Sequence, residues 1–161
     1  MKILAIDPGN ERSAYVVYET GKILQFASTS NKVILELMKI IEADELAIEM
    51  IASYGMSVGK SIFDTCVWVG RFVQQWEPKP WSRVYRHNVK MHLCHSMKAK
   101  DGNIRQALLD MYPATGGGKC PQIGIQKKPG PLFGISGDVW SALAVAVTFD
   151  QRYSEIVEKQ T

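Results

Sequence analysis

The sequence predicts an α/β fold, a five-stranded mixed sheet with helices on both faces, and three observations point to it. Three apolar runs bounded by turn residues follow one another at the start, MKILAID, SAYVVYET and KILQFAS, joined closely enough to make an antiparallel meander. Two more strand-like runs, ELAIEMI and WSRVYR, then alternate with helical patterns, as parallel strands must. The last long segment, SGDVWSALAVAVTFDQRYSEIV, is apolar nearly all round, which describes a core helix. At 161 residues, 46% hydrophobic and 22% charged, the chain suits one domain spanning residues 1–161.

Each element has a local reason. The second and third strands turn at Gly21-Lys22. NKVILELMKIIEAD predicts a helix capped by Asn31, with Val33, Ile34, Leu37, Met38, Ile40 and Ile41 as its apolar face and an end near Ala43. ELAIEMI is the fourth strand, apolar within except for Glu49. After the loop SYGMSVG, KSIFDTCVWVGRFVQQW has helical spacing with Ile62, Cys66, Val69 and Val73 on one side. Phe63, Trp68 and Phe72 then exceed what one buried face requires, so the 57–76 helix is the expected dimer surface. Pro78 and Pro80 break that helix, WSRVYR is the fifth strand, and VKMHLCHSM is a short helix. KDGNIRQALLDMY is a further helix with Ile104, Ala107, Leu108 and Met111 facing inward. Pro113, three consecutive glycines, Pro121, Pro129 and Pro131 make 113–135 a long, flexible, irregular loop, a kind that is usually functional or mobile. Ser136 is the expected cap of the final helix.

Bulk properties narrow the function classes. No apolar stretch approaches the ~20 residues of a membrane helix, and Asp7 interrupts the first apolar run where a signal peptide would continue. A cytoplasmic protein with no membrane partner is expected. Cys66, Cys94 and Cys120 are odd in number and far apart, which argues for reduced thiols over a disulfide framework or zinc ribbon. The net charge is only +3, yet Lys79 to Arg105 holds seven Lys/Arg (79, 83, 86, 90, 98, 100, 105) against one acid, Asp101. Such a field suits a polyanion, although a solvated surface accounts for charge alone.

Three acids stand on otherwise apolar elements. A lone carboxylate in a buried strand costs several kcal/mol unless it is paired or holds a cation. Asp7 ends one strand, Glu49 lies near the end of another, and Asp138 sits in the first turn of the C-terminal helix. Converging at one sheet edge, they would need Mg²⁺ or Mn²⁺ to offset their repulsion, a set suited to two-metal phosphoryl hydrolysis. Each also has an ordinary reading: Asp7 as a turn acceptor in Asp-Pro-Gly, Glu49 as a lysine's ion-pair partner, Asp138 as a helix-dipole partner.

LAIDPG, LAIEMIA, a helix containing VGRF, RHNVKMHL with KAKDGNI following, and SGDVWSALAVAV occur in that order across nearly the whole chain. This ordered set resembles the RuvC-type Holliday junction resolvases, particularly the short phage branch. The resemblance implies an RNase H-like fold, a homodimer, two Mg²⁺ per active site with Mn²⁺ able to substitute, no nucleotide cofactor, and cutting of branched DNA. A phage-encoded chain would act in the host cytoplasm.

Carried over by residue, the resemblance makes Asp7 and Glu49 the first two metal-bridging carboxylates and Asp138 the first of a C-terminal acidic pair. Lys90, with Lys98 or Lys100, matches basic positions near the scissile phosphate or DNA backbone, and Lys100 is the lysine expected in catalysis. Arg86 and Arg105 in the basic segment, with Lys127 and Lys128 in the long loop, complete the expected DNA contacts. Tyr54, or Met56 beside it, matches an aromatic that enters the junction centre, where it would stack on or wedge between bases. A tyrosine packing locally in its loop is the ordinary alternative.

One position departs from the pattern. The family's second C-terminal acid falls three residues after the first, and here that residue is Ser141. Either three acids suffice, which is the favoured reading, or Asp101 contributes, or nuclease activity is weakened and the chain binds branched DNA without cutting it. Asp101 is otherwise a cap-region acid of its helix.

Two further motifs carry less. His87, His92, Cys94 and His95 crowd together but fit no common zinc spacing, and they sit better on the basic face. TGGGKC lacks the spacing and preceding strand of a phosphate-binding loop. An actin-like nucleotide-binding protein would need a much longer chain.

Overall fold

The computed structural model describes residues 1–52, 55, 57–153 and 156. Strands β1 (Lys2–Asp7), β2 (Arg12–Glu19), β3 (Lys22–Ser30), β4 (Glu45–Met50) and β5 (Trp81–Tyr85) form one sheet in the order β3-β2-β1-β4-β5. β1, β2 and β3 pair antiparallel, and β1–β4 and β4–β5 pair parallel. The hairpin between β2 and β3 turns on Thr20 and Gly21, both at positive φ, one residue earlier than the expected turn.

Period-two alternation divides the core between the two faces. Ile3, Ala5 and Ala47 pack with α3 (Arg86–Cys94), α4 (Asp101–Met111) and α5 (Val139–Gln151). Leu4, Ile6, Leu46 and Ile48 pack with α1 (Asn31–Met38) and α2 (Lys60–Trp76). Among the described residues no helix is long and apolar enough to cross a membrane, and all three cysteines are free thiols.

Several helices are rotated or shortened relative to expectation. The N-cap of α1 is Ser30, whose Oγ accepts from the Val33 N–H, while Asn31 is buried and bonded elsewhere. Val33 and Ile40 are exposed, because α1 ends at Met38 and cannot carry Ile40 inward. Helix α2 buries Thr65, Val69, Phe72 and Trp76 instead of the Ile62 and Cys66 side. The two aromatic side chains decide this: burying Phe72 and Trp76 removes more apolar area than the alternative stripe. Phe72 is therefore core and leaves the expected dimer surface, whereas Phe63 and Val67 stay exposed. Helix α4 turns Leu109 inward and Met111 outward. The N-cap of α5 is Asp138, two residues after Ser136, whose carbonyl accepts from the Val139 N–H.

Residues 113–135 are not irregular throughout. They hold a short hairpin, β6 (Gly124–Ile125) with β7 (Lys128–Pro129), tied by Gly116 N–H to the Pro121 carbonyl and Leu132 N–H to the Gln122 carbonyl. A Cβ on Gly124 would meet the Gly130 nitrogen at 2.2 Å, so glycine here permits backbone to pack on backbone. Leu132 and Ile135 then enter the main core just ahead of α5.

Candidate active site

Sheet register brings Asp7 and Glu49 together. Ile6 pairs with Ile48 across parallel β1 and β4, so the next residue on each strand is a carboxylate, on the face that Ala5 and Ala47 share with α5. Their carboxyl groups lie close enough to shift each other's titration. Two carboxylates so placed repel, which favours a state in which one of them holds a proton. Burial first, then the neighbouring Glu49 carboxyl and Asp138's charge, push Asp7 from 3.8 up to about 8, against the lowering effect of Arg86. Glu49 is also raised, by burial first, with Arg86 and then Asp7 opposing.

The turn after Asp7 is fastened from beneath. A Cβ on Gly9 would lie 2.2 Å from the Arg12 carbonyl oxygen, so the tight turn requires glycine. Gly9 N–H donates to Ser13 Oγ (3.0 Å), Ser13 Oγ–H donates to Asn31 Oδ1 (2.6 Å), and Asn31 Nδ2–H donates to the Gly9 carbonyl (2.9 Å). Sequence reading missed this role for Asn31. The signal was a polar residue whose own helix is capped by its neighbour.

Arg86, expected as a DNA contact, follows β5 directly, where Tyr85 pairs with Met50, one position past Glu49. Its Nη1 stands 3.7 Å from Glu49 Oε1, and its Nη2 is ion-paired with Asp101. It lines a cavity of about 190 Å³ with Asp7, Pro8, Glu49, Met50, Ile51 and Ala52. It also lines a second of about 310 Å³ with Asp101, Gly102, Ile104, Arg105, Gly137, Asp138, Trp140 and Ser141.

Asp138 is exposed at the start of α5, close enough for its charge to raise Asp7. Among the described residues no three His, Cys, Asp or Glu side chains stand close enough together to hold a metal ion as they are placed. Ser141 shares the second cavity with Asp138. Asp101 opens α4, as a cap-region acid should, and its carboxylate goes to Arg86.

The other expected residues are spread around this centre. Lys100 is the exposed N-cap of α4, its backbone N–H donating to Asn103 Oδ1, and it does not line the Asp7–Glu49 cavity. Lys90 lies half-buried on α3. Lys98 lines a groove between α3 and α4, and Arg105 lies over the Trp140 ring at 4.9 Å. Lys127 and Lys128 are exposed on the 113–135 hairpin. Tyr54 and Met56 lie outside the described residues. His87 stacks on Tyr85 and His92 bonds Gln151, so the histidines are dispersed.

The Asp7–Glu49 pair has the chemistry of a hard-cation site. Its oxygens suit Mg²⁺ or Mn²⁺, and the proton that the raised Asp7 carboxyl keeps is the charge that such an ion would replace.

The sheet order and the two helical layers are those of an RNase H-like α/β fold of the RuvC type. Two solved structures of Thermus thermophilus RuvC align with it at a TM-score of 0.68, each match covering 96% of this chain and 96% of that chain. One is RuvC in complex with a Holliday junction substrate, at 14% identity, and the other is RuvC by itself in name, at 15%. No family model matches the sequence. No curated protein matches it either.

Proposed function

We propose that this chain is a divalent-metal-dependent, structure-selective endonuclease that cuts branched DNA and works as a homodimer. The observation that carries the reading is the half-buried Asp7–Glu49 carboxyl pair at adjacent parallel strand ends, in a fold shared with a protein solved on a Holliday junction. A bound Mg²⁺, or Mn²⁺ in its place, would polarise the phosphodiester and offset charge on the leaving oxygen, two ions per site. Asp7 and Glu49 would hold it, with Asp138 reaching in from α5. The Gly9–Ser13–Asn31 bonds keep the backbone behind Asp7 fixed, which positions the ligand before substrate arrives.

Around this centre, Lys90, Lys98, Lys100, Arg105, Lys127 and Lys128 supply phosphate contacts along the DNA arms, and Lys100 offsets charge during phosphoryl transfer. Tyr54 stacks in the junction centre. Exposed Phe63 and Val67 on α2 supply the homodimer contact. The cytoplasm is the compartment in which the reduced thiols and the nucleic-acid substrate fit.

Incubating the protein with a labelled four-way junction, a fork, a flap and linear duplex, with and without Mg²⁺, tests the reading. Mg²⁺-dependent paired nicks in branched DNA are expected, and cleavage that survives Asp7→Asn would overturn the site assignment. A second reading has its own support, since Ser141 brings no charge to the cavity it shares with Asp138. In that case the chain binds junctions tightly, leaves them uncut, and gains cleavage on Ser141→Asp.

A further inference from the structure

Arg86 lines both cavities, and it is bound to a carboxylate on each side. Glu49 Oε1 lies 3.7 Å from its Nη1, and Asp101 is ion-paired with its Nη2. A guanidinium cannot lose its charge in a protein, so Arg86 is a permanent cation beside the Asp7–Glu49 pair. The two partners differ in setting: the Glu49 side chain is only 13% exposed, while that of Asp101 is 88% exposed.

We propose that Arg86 is a built-in counter-cation that competes with divalent ions for the carboxylate pair, and that Asp101, which already holds its Nη2, is the anchor that retains its guanidinium when an ion enters. This inference rests on the proposed reading of Asp7 and Glu49 as the ion-binding pair. A fixed positive charge within 4 Å of Glu49 opposes a second cation there. Solvated Asp101, outside the cavity that Asp7 lines, gives the displaced guanidinium a partner without another buried desolvation. The ion pair with Asp101 therefore favours ion binding although Asp101 need not touch the ion. Arg86 is in these terms a positioning residue, acting through Glu49.

Two consequences have opposite sign. Arg86→Gln removes the competitor, so divalent affinity rises on the order of tenfold. Asp101→Asn removes the second anchor, leaves Arg86 on Glu49, and lowers affinity. If Asp101 acts only through Arg86, Asp101→Asn has no effect in the Arg86→Gln background.

The test is Mn²⁺ titration of the full chain without DNA, read by electron paramagnetic resonance of free Mn²⁺. It compares wild type, Arg86→Gln, Arg86→Lys, Asp101→Asn, the double variant and Asp7→Asn, with thermal melts confirming that each is folded. Tighter Mn²⁺ binding in Arg86→Gln, weaker in Asp101→Asn, and near-wild-type binding in Arg86→Lys support the proposal. Binding that vanishes in Asp7→Asn but is equal in wild type and Arg86→Gln overturns the counter-cation role alone. An Asp101→Asn loss that persists in the double variant overturns the anchor role. Absence of Asp7-dependent binding in both wild type and Arg86→Gln overturns this proposal together with the ion-site reading beneath it.

Discussion

The Asn31 side-chain amide donates to the Gly9 carbonyl oxygen at 2.9 Å, and so a residue on α1 holds the turn that follows Asp7. Its other side-chain atom accepts from Ser13, which in turn receives the Gly9 N–H. Asn31→Leu keeps the branched outline in a bulkier side chain but leaves the Gly9 carbonyl and the Ser13 hydroxyl short of partners in a buried place. Destabilisation of about 2–4 kcal/mol is expected from such losses. Urea unfolding of Asn31→Leu beside Asn10→Ala, an exposed neighbour, measures it; equal midpoints would show that the turn does not depend on this bond.

The Asp7–Glu49 pair makes stability depend on pH in an unusual direction. Asp7 is raised in the fold from 3.8 to about 8, so between those values the folded chain holds a proton that the unfolded chain has released. Its contribution to stability is complete below pH 3.8 and is lost as pH rises towards about 8. Asp7→Asn, neutral at every pH, should therefore raise the melting temperature of the metal-free protein at pH 8, on the order of 5 °C. The gain should shrink at pH 5. Mg²⁺ should stabilise wild type at pH 8 and leave Asp7→Asn unchanged. A wild type that melts higher than Asp7→Asn at pH 8 without metal would contradict the raised titration of Asp7.

What the sequence disclosed, and what it hid, follows from the physics of each element. Strand pairing was readable because period-two alternation and short turns leave few choices, and the same alternation put Asp7 and Glu49 on one face. The buried stripe of helix α2 is not legible in sequence because the 3.6-residue period allows both, with Val69 on each; only the sheet beneath it selects Phe72 and Trp76. Glycine and proline made 113–135 look like loose chain, whereas glycine there removes the Cβ that would keep two backbones apart. Arg86 was hidden for a different reason. A charge run in sequence says nothing about which member turns inward, and Glu49 and Asp101, far from it along the chain, are what turn it.

The glycine packing of 113–135 has a measurable consequence. Gly124 combines a φ of +78° with backbone atoms of Gly130, Lys128 and Pro129 within 2.7 Å of any added Cβ. Gly124→Ala should open the hairpin and expose the chain around it, at a cost of about 2 kcal/mol or more. Gly102, on exposed α4 with nothing within 4 Å, is the contrasting site: Gly102→Ala should stabilise by roughly 0.5–1 kcal/mol. Limited proteolysis reports the first and thermal melting the second. Wild-type resistance of Gly124→Ala to cleavage within 113–135 would refute the close-packed hairpin.

Helix α2 presents Phe63 and Val67 to solvent, 60% and 62% exposed, four residues apart on one stripe. Gly70 continues the stripe three residues on, with open space where its Cβ would be. Exposed aromatic and branched side chains beside a residue with no side chain suit the approach of a second helix. If α2 is the homodimer contact, Phe63→Lys should yield a monomer by sedimentation, and Val67→Lys should do the same, both with unaltered circular dichroism. Gly70→Ala separates helix propensity from association. Alone in solvent, alanine would stabilise α2 by about 1 kcal/mol; at a close helix contact it would weaken the dimer while stabilising the protomer. A Phe63→Lys protein that keeps a dimeric mass would place the homodimer contact elsewhere than on α2.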